Sequence, residues 1–288
     1  MHPMVRSIVV GVDESPGAAE ALRWAARERQ FHQCSLTAVL CWNYLDQHQL
    51  ERDQPFDPSY DEHAAQQALD AIVARVLGEE ASIVERTTVL DHPARGLLEA
   101  SADADLLVVG ARGLGGFREV VVGSVSRQCL HHAKIPVAVV REGGSERPDN
   151  GRVVVGVDGS DSSQRALAWA LEEGRRRRAP VTVVHAWNPP FVGGVVVADI
   201  AYDAPEFERS GDELLDAAMN ASDTSGVAVD RQTVRAAAGP AIVDAATDAS
   251  LVVVGSRGRG GFSGLLLGSV SHHVTHHAPC PVVAIPHA

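Results

Sequence analysis

The chain has 288 residues, 45% of them hydrophobic and 22% charged, with 25 basic against 37 acidic side chains and a net charge of −12. That length favours two domains, and the acidic balance repels nucleic-acid phosphates and anionic membranes, so neither is an expected partner. No apolar run approaches the ~20 residues needed to span a bilayer and no secretion-signal pattern opens the chain; the four cysteines (Cys34, Cys41, Cys129, Cys280) form no C-x-x-C pair and fit free thiols in a cytoplasmic protein.

From the amino terminus, "SIVVGVD" reads as a short β-branched strand. "SPGAAEALRWAARERQ" follows as a helix with Ser15 as N-cap, its apolar Ala18, Leu22, Ala25 and Ala26 recurring at helical spacing. "LTAVLCW" is a strand, "DEHAAQQALDAIVARVLGE" a helix, "SIVERTTVL" a strand and "ARGLLEASA" a helix. "DLLVVG" is a strand, "SVSRQCLHHA" a helix and "PVAVV" a last strand. Strands alternating with helices, and runs apolar throughout, predict open, mostly parallel sheets with helices on both faces, an α/β Rossmann-like fold.

The order then repeats. A constant offset of 145 residues relates Asp13 to Asp158, Trp24 to Trp169, Gly110 to Gly255 and Pro136 to Pro281, and 20 of 38 positions are identical between 103–140 and 248–285. Such a period means two copies of a whole domain. The expected division is residues 1–143, a linker at 144–151 and residues 152–288, each copy carrying a five-stranded sheet. In the middle, "PARGLLEASADADL" aligns best with "PAIVDAATDASL", which implies a two-residue slip there. The final strands "PVAVV" and "PVVAIP" are edge candidates that could pair across the halves as an internal pseudo-dimer.

After the fourth strand of each copy comes a glycine-rich stretch, "GARGLGGFREVVVGSVS" (110–126) and "GSRGRGGFSGLLLGSVS" (255–271). Each begins at a strand's carboxyl end, where open α/β sheets bind ligands, and finishes at a helix N-terminus with unpaired N–H groups. Glycines let backbone amides approach an anion, and the natural guest is a phosphate chain. Neither stretch has the P-loop lysine or a G-x-G-x-x-G fingerprint. The shared spacing is G-x2-G-x9-G-S: Gly110, Gly113, Gly123, Ser124, and Gly255, Gly258, Gly268, Ser269.

That spacing, the first-strand aspartates and the strand–helix order resemble the universal stress protein family, over nearly the whole chain and as two domains in tandem. The resemblance implies ATP, with Mg2+, as cofactor. It places Asp13 and Asp158 near adenine and ribose, the backbone of Cys41 and of Ala186 at the adenine edge, and Val109 and Val254 beside the nucleoside. Gly110, Gly113, Gly123, Ser124, Val125 and Ser126 would form the first phosphate loop, and Gly255, Gly258, Gly268, Ser269, Val270 and Ser271 the second. Arg112 and Arg257 lie inside these loops and could pair with phosphate oxygens, point to solvent or salt-bridge across the domain interface. Both sites are expected to be competent, with Glu119 (Gly264 in the second copy) able to weaken the first. Gly255→Val with Gly268→Val is expected to abolish the second site and leave the fold intact.

Blander readings stand beside these. Asp13 and Asp158 could cap helices. His272, His273, His276 and His277 have metal-pair spacing, but no further ligand is near in sequence, so a solvated or interface helix is expected. Arg175–Arg178 reads as favourable charge at a helix C-terminus. The apolar stretch 189–202 could serve self-association or cover the second site. The leading function is an ATP-dependent stress-response module acting through an unidentified protein partner. A slow ATPase or autokinase, with Ser124 or Ser126 as acceptor, and a nucleotide-independent scaffold or chaperone-like protein are the alternatives. Homodimerisation of whole chains is left open.

Overall fold

The computed structural model describes residues 5–43, 59–113, 122–144, 151–188, 191–192, 195–196, 204–259 and 267–287. The first half runs β1 (Ser7–Gly11), α1 (Pro16–His32), β2 (Ser35–Trp42), α2 (Glu62–Leu77), a 3-10 turn (Gly78–Ile83), β3 (Glu85–Leu90), α3 (Pro93–Ala100), β4 (Leu106–Gly110), α4 (Ser124–His132) and β5 (Val137–Val140). The second runs β6 (Val153–Gly156), α5 (Asp161–Arg177), β7 (Val181–Trp187), β8 (Phe191–Val192), β9 (Val195–Val196), α6 (Ala204–Asn220), β10 (Val229–Arg235), α7 (Ala238–Ala245), β11 (Leu251–Gly255), α8 (Ser269–His277) and β12 (Val282–Ile285). Strands β8 and β9 pair with each other as a small antiparallel ribbon.

Local chemistry sets the boundaries. Ser15 caps α1, its hydroxyl accepting from the Ala18 amide at 3.1 Å, and Pro16 follows where an N–H would be orphaned anyway. Ser160 does the same for α5 through the Ser163 amide at 3.2 Å. Both helices end at a residue in the left-handed region, Gln33 (φ 51) and Arg178 (φ 53).

The 145-residue offset relates the five main strands, α1, α3 and α4 to their counterparts, though not α2 (Glu62–Leu77) to α6 (Ala204–Asn220), and the two-residue slip expected at α3 is absent. Helix α3 answers α7 residue for residue, with Leu97 packed against Gly11 and Ile242 against Gly156. The matched prolines sit at different helical positions: Pro93 opens α3, whereas Pro240 is the third residue of α7.

Each half has the parallel order 3-2-1-4-5, but the halves do not form separate sheets. The order is β10-β7-β6-β11-β12-β5-β4-β1-β2-β3, ten strands in one sheet. The seam is antiparallel, pairing Val137 with Ala284, Ala138 with Val283 and Val139 with Val282. Residues 138 and 283 are equivalent, so a pseudo-two-fold axis passes between them. The cores merge accordingly. One apolar layer lies under α1, α2, α5 and α6 (Leu22, Leu69, Leu167, Leu215), and the other under α3, α4, α7 and α8 (Leu97, Cys129, Ile242, Val274). Two inner edges that would each expose unpaired backbone groups satisfy one another instead.

The arginine run is more than favourable charge at a helix C-terminus. Arg175 and Arg176 pair with Glu172, but Arg177 is buried against Glu28 of the other half. On the opposite face Arg141 reaches across the seam and donates to the His276 and Ala278 carbonyls at 2.8 and 3.2 Å, capping the end of α8.

Candidate functional site

In each half the chain leaves the first strand toward one sheet edge and the fourth toward the other, so a crevice opens between β1 and β4, and between β6 and β11. The glycine stretches begin there, and packing explains their first residues. A Cβ on Gly110 would lie 2.6 Å from the backbone of Gly17, and one on Gly255 2.1 Å from Ser162 Oγ and 3.0 Å from the Ser162 backbone. These glycines let the fourth strand press against the start of the first helix. Gly113 and Gly258 have a different reason: a Cβ there would stand 2.8 Å from Asp13 Oδ2 and 2.3 Å from Asp158 Oδ2.

The two aspartates therefore tie the first strand to the loop. Asp13 Oδ1 accepts from the Ser15 amide at 2.9 Å and from its hydroxyl; Asp158 Oδ1 accepts from the Ser160 amide and hydroxyl at 3.0 and 2.6 Å. Asp158 Oδ2 accepts from the Arg259 amide at 2.9 Å. Burial opposes ionisation of Asp158, but the hydrogen bonds from Ser160, Arg259 and Ser163 outweigh it and hold the carboxyl below its usual range. Neither aspartate caps a helix itself: Ser15 and Ser160 are the N-caps, each held by the aspartate two residues before it, and each carboxylate's second oxygen faces the loop.

The second half holds a cavity of about 410 Å³. All ten residues singled out there line it: Asp158 from the first strand's end, Ala186 from β7, Val254 and Gly255 from β11, Arg257 and Gly258 from the loop, and Gly268 to Ser271 from the start of α8. Gly268 is the α8 N-cap and Gly123 the α4 N-cap, and neither helix start has a side-chain cap. Their first amides are available to an anion. Ser124 and Ser269 are exposed, whereas Ser126 and Ser271 are buried. Ser126 donates to the Gly110 carbonyl at 2.6 Å and Ser271 to that of Ser256 at 2.9 Å, so both brace the loop.

The first half repeats the frame. Cys41 and Val109 are buried in the layer containing Leu97, and burial, then Asp91 and Cys129, pushes the Cys41 thiol up to about 12. Arg112 differs from Arg257: it lines a separate cavity of about 140 Å³ with Gly17, Ala111, Arg141 and Glu142. Glu119 and Gly264 lie outside the described residues, as does most of 189–202 apart from the β8–β9 ribbon.

Sequence reasoning missed Arg259. Its guanidinium donates to the Gly159 carbonyl at 3.0 Å, and Gly159, at φ 76, has no room for a Cβ beneath it. The signal was a paired difference between the copies, Glu14 and Leu114 against Gly159 and Arg259.

The α8 histidines stack in pairs, His272 on His276 at 4.2 Å and His273 on His277 at 4.4 Å between ring centroids. Burial first, then His272, His277 and Arg141, holds His276 down at about 4. This folded value lies below the ordinary ~6.5. The neutral ring thus contributes stability above pH ~6.5 that is lost as pH falls toward the folded value. His276→Gln is expected to flatten the fall of melting temperature across that window, measured by thermal unfolding against pH.

The family profile described as Universal stress protein family matches residues 4–141 and 150–286. A universal stress protein of Mycolicibacterium smegmatis is 35% identical over 295 residues, covering 96% of both chains. One from Mycobacterium tuberculosis H37Rv is 33% identical over 288 residues, covering 96% of this chain and 95% of its own. In fold, the chain is similar to the crystal structure of a universal stress protein from Archaeoglobus fulgidus, with a TM-score of 0.68, 21% identity and 98% of each chain covered. With two profile matches in succession and relatives alike along nearly their whole length, the chain belongs to the universal stress protein family as a tandem, two-domain member.

Proposed function

We propose that the protein is an ATP-binding regulatory module in which nucleotide occupancy changes affinity for a protein partner. One observation carries the reading: ten residues, chosen from the sequence as a nucleotide site, converge on one cavity at the strands' carboxyl ends. Its volume suits a small organic ligand, its walls near Val254 and Ile242 are apolar, and its far side offers the uncapped start of α8. Base and ribose fit the apolar part and phosphates the helix start. Asp158 is the one carboxylate among the described lining residues, and its oxygens accept hydrogen bonds from Ser160 and Arg259. Mg2+ would therefore rest chiefly on phosphate and water oxygens, with Asp158 at its periphery.

The same carboxylate count favours binding over rapid hydrolysis, since no other described residue of the wall could orient water as a base. For the autokinase alternative, Ser124 is the reachable acceptor, because Ser126 is buried and committed to Gly110. The division at 144–151 into two nucleotide-binding units is part of the proposal. The test is to denature the purified protein and identify and count released nucleotide. Two ATP per chain supports two working sites, one supports unequal halves, and none with no thermal shift on Mg-ATP favours the scaffold reading.

Ser269→Glu sharpens it. A carboxylate at the first residue of α8 is favourable to the helix by about 0.3–1 kcal/mol but sits where phosphate is proposed to bind. Stability should hold or rise while second-site affinity falls at least tenfold, about 1.4 kcal/mol, by calorimetric titration.

A further inference from the structure

Helices α1 and α5 meet beside the pseudo-two-fold axis with four ionisable side chains sealed between them. Glu28 and His32 come from α1, Glu173 and Arg177 from α5, each side chain only 1–2% exposed. Arg177 donates through Nη2 to Glu28 Oε2 and through Nε to Glu173 Oε2 at 3.0 Å, and its guanidinium lies 5.0 Å from the Phe31 ring centroid. His32 Nε2 stands 2.9 Å from Glu173 Oε1 and 4.0 Å from Glu28 Oε2, though neither ring nitrogen makes a well-directed hydrogen bond. The 145-residue offset makes Glu28 the counterpart of Glu173, and His32 the counterpart of Arg177. The axis thus relates two like anions but two unlike cations.

The charges do not balance. Two carboxylates against one guanidinium leave −1 in a site closed off from the protein surface. One added proton brings the group to zero, whereas a divalent cation would bring it to +1 beside a guanidinium already bound to both carboxylates. Among the described residues, Arg177 and His32 are the basic groups that act on the two carboxyls, and Arg27 and Arg29 of α1 are only half-buried. The sheet beneath contributes Val108, Ala138, Val140 and Val283 to the same apolar layer. On α2, Glu62, His63 and Arg75 are exposed and Asp70 pairs with Arg86; on α5, Glu172 is taken by Arg175 and Arg176. Cys34, within electrostatic reach of Glu28, is kept a neutral thiol by burial.

We infer that Glu28, His32, Glu173 and Arg177 form a one-proton site that locks the two halves together. In the folded chain one proton is held among Glu28, His32 and Glu173, and unfolding releases it at neutral pH. The carboxyls differ as this requires. Burial, reinforced by Glu173, raises Glu28 above the ordinary carboxylate range; burial also opposes ionisation of Glu173, but His32 and Arg177 outweigh it and hold that group down. Glu28's folded value is raised, so the contribution is complete at low pH and is lost as pH rises through that of the folded site. The sign is opposite to that of His276, whose window lies below pH ~6.5.

The test is urea unfolding of the full-length chain between pH 7 and 8, with Glu28→Gln and His32→Arg alongside. The wild-type unfolding constant should rise by up to tenfold per pH unit, the slope of one proton. Either substitution makes the group neutral without a proton, so both should lose that slope, and buried thiols common to all three chains cancel in the difference. Variants weaker by the same factor at every pH would reduce the site to packing and overturn the inference. So would one equivalent of divalent metal whose removal abolishes the slope. Should a variant fail to fold, proton release from the wild type decides: about one proton per chain set free on unfolding at pH 7.5 supports the site, and none refutes it.

Discussion

Gly255→Val is expected to cost the protein its fold, with a loss of about 3 kcal/mol or more in urea-unfolding stability and little soluble material. A Cβ at this position would stand 2.1 Å from Ser162 Oγ and 3.0–3.1 Å from backbone atoms of Ser162 and Ser163. The strand end and the α5 start would have to part, and β11 is central, paired to both β6 and β12. Overpacking by added methylenes costs about 1–3 kcal/mol even where side chains can yield, and here backbone must move. The Ser162 hydroxyl would also lose its bond to the Arg257 carbonyl. The sequence expectation that Gly255→Val with Gly268→Val leaves the fold intact is thereby corrected: Gly255 is a packing glycine first. Retention of wild-type stability in the single variant would contradict the close approach, and Ser269→Glu is the substitution that separates site from scaffold.

Val283→Asp should be as damaging, and to both halves at once. Val283 is fully buried, faces Ala138 across the seam and belongs to the layer under α1 and α5. The substitution forfeits about 1.5–3 kcal/mol of apolar burial and leaves an unpaired carboxylate in that layer, at several kcal/mol more. Total stabilities of about 5–15 kcal/mol leave little after such a loss. Because the cores are continuous, circular dichroism and fluorescence from the four tryptophans, two in each half (Trp24 and Trp42, Trp169 and Trp187), should fall together. A variant in which one half melts normally while the other is lost would show that the halves fold independently.

The sequence made the architecture legible where chemistry is local. Ser15 and Ser160 before helical spacing, and "DLLVVG" and "LVVVG" as buried strands, translated directly into elements, and the repeat supplied the rest. The slip at α3 arose because matching Pro93 to Pro240 rewarded residue identity over helical position. Glycines were harder, since an absent side chain does not announce what fills its place: Gly110 and Gly255 admit a neighbouring backbone, Gly113 and Gly258 a carboxylate. Arg177 was hidden in a run of four arginines that matched a helix dipole so well that burial went unconsidered. The available signal was its spacing, four residues after Glu173, together with Glu28 at the equivalent place in α1.

Two identical chains joined about a two-fold axis must carry the same residue at both of any two symmetry-related positions. Here both halves belong to one chain, which removes that obligation, and the unlike pair His32 and Arg177 occupies places that a homodimer could fill only with two histidines or two arginines. The seam thus has the freedom of a heterodimer, where one partner changes while the other is kept. Its stoichiometry is nonetheless fixed at one to one, and it cannot dissociate on dilution. A substitution near the axis therefore need not be repeated at the equivalent position of the other half, and the Gly159–Arg259 latch, for which the first copy carries Glu14 and Leu114, follows the same rule away from it.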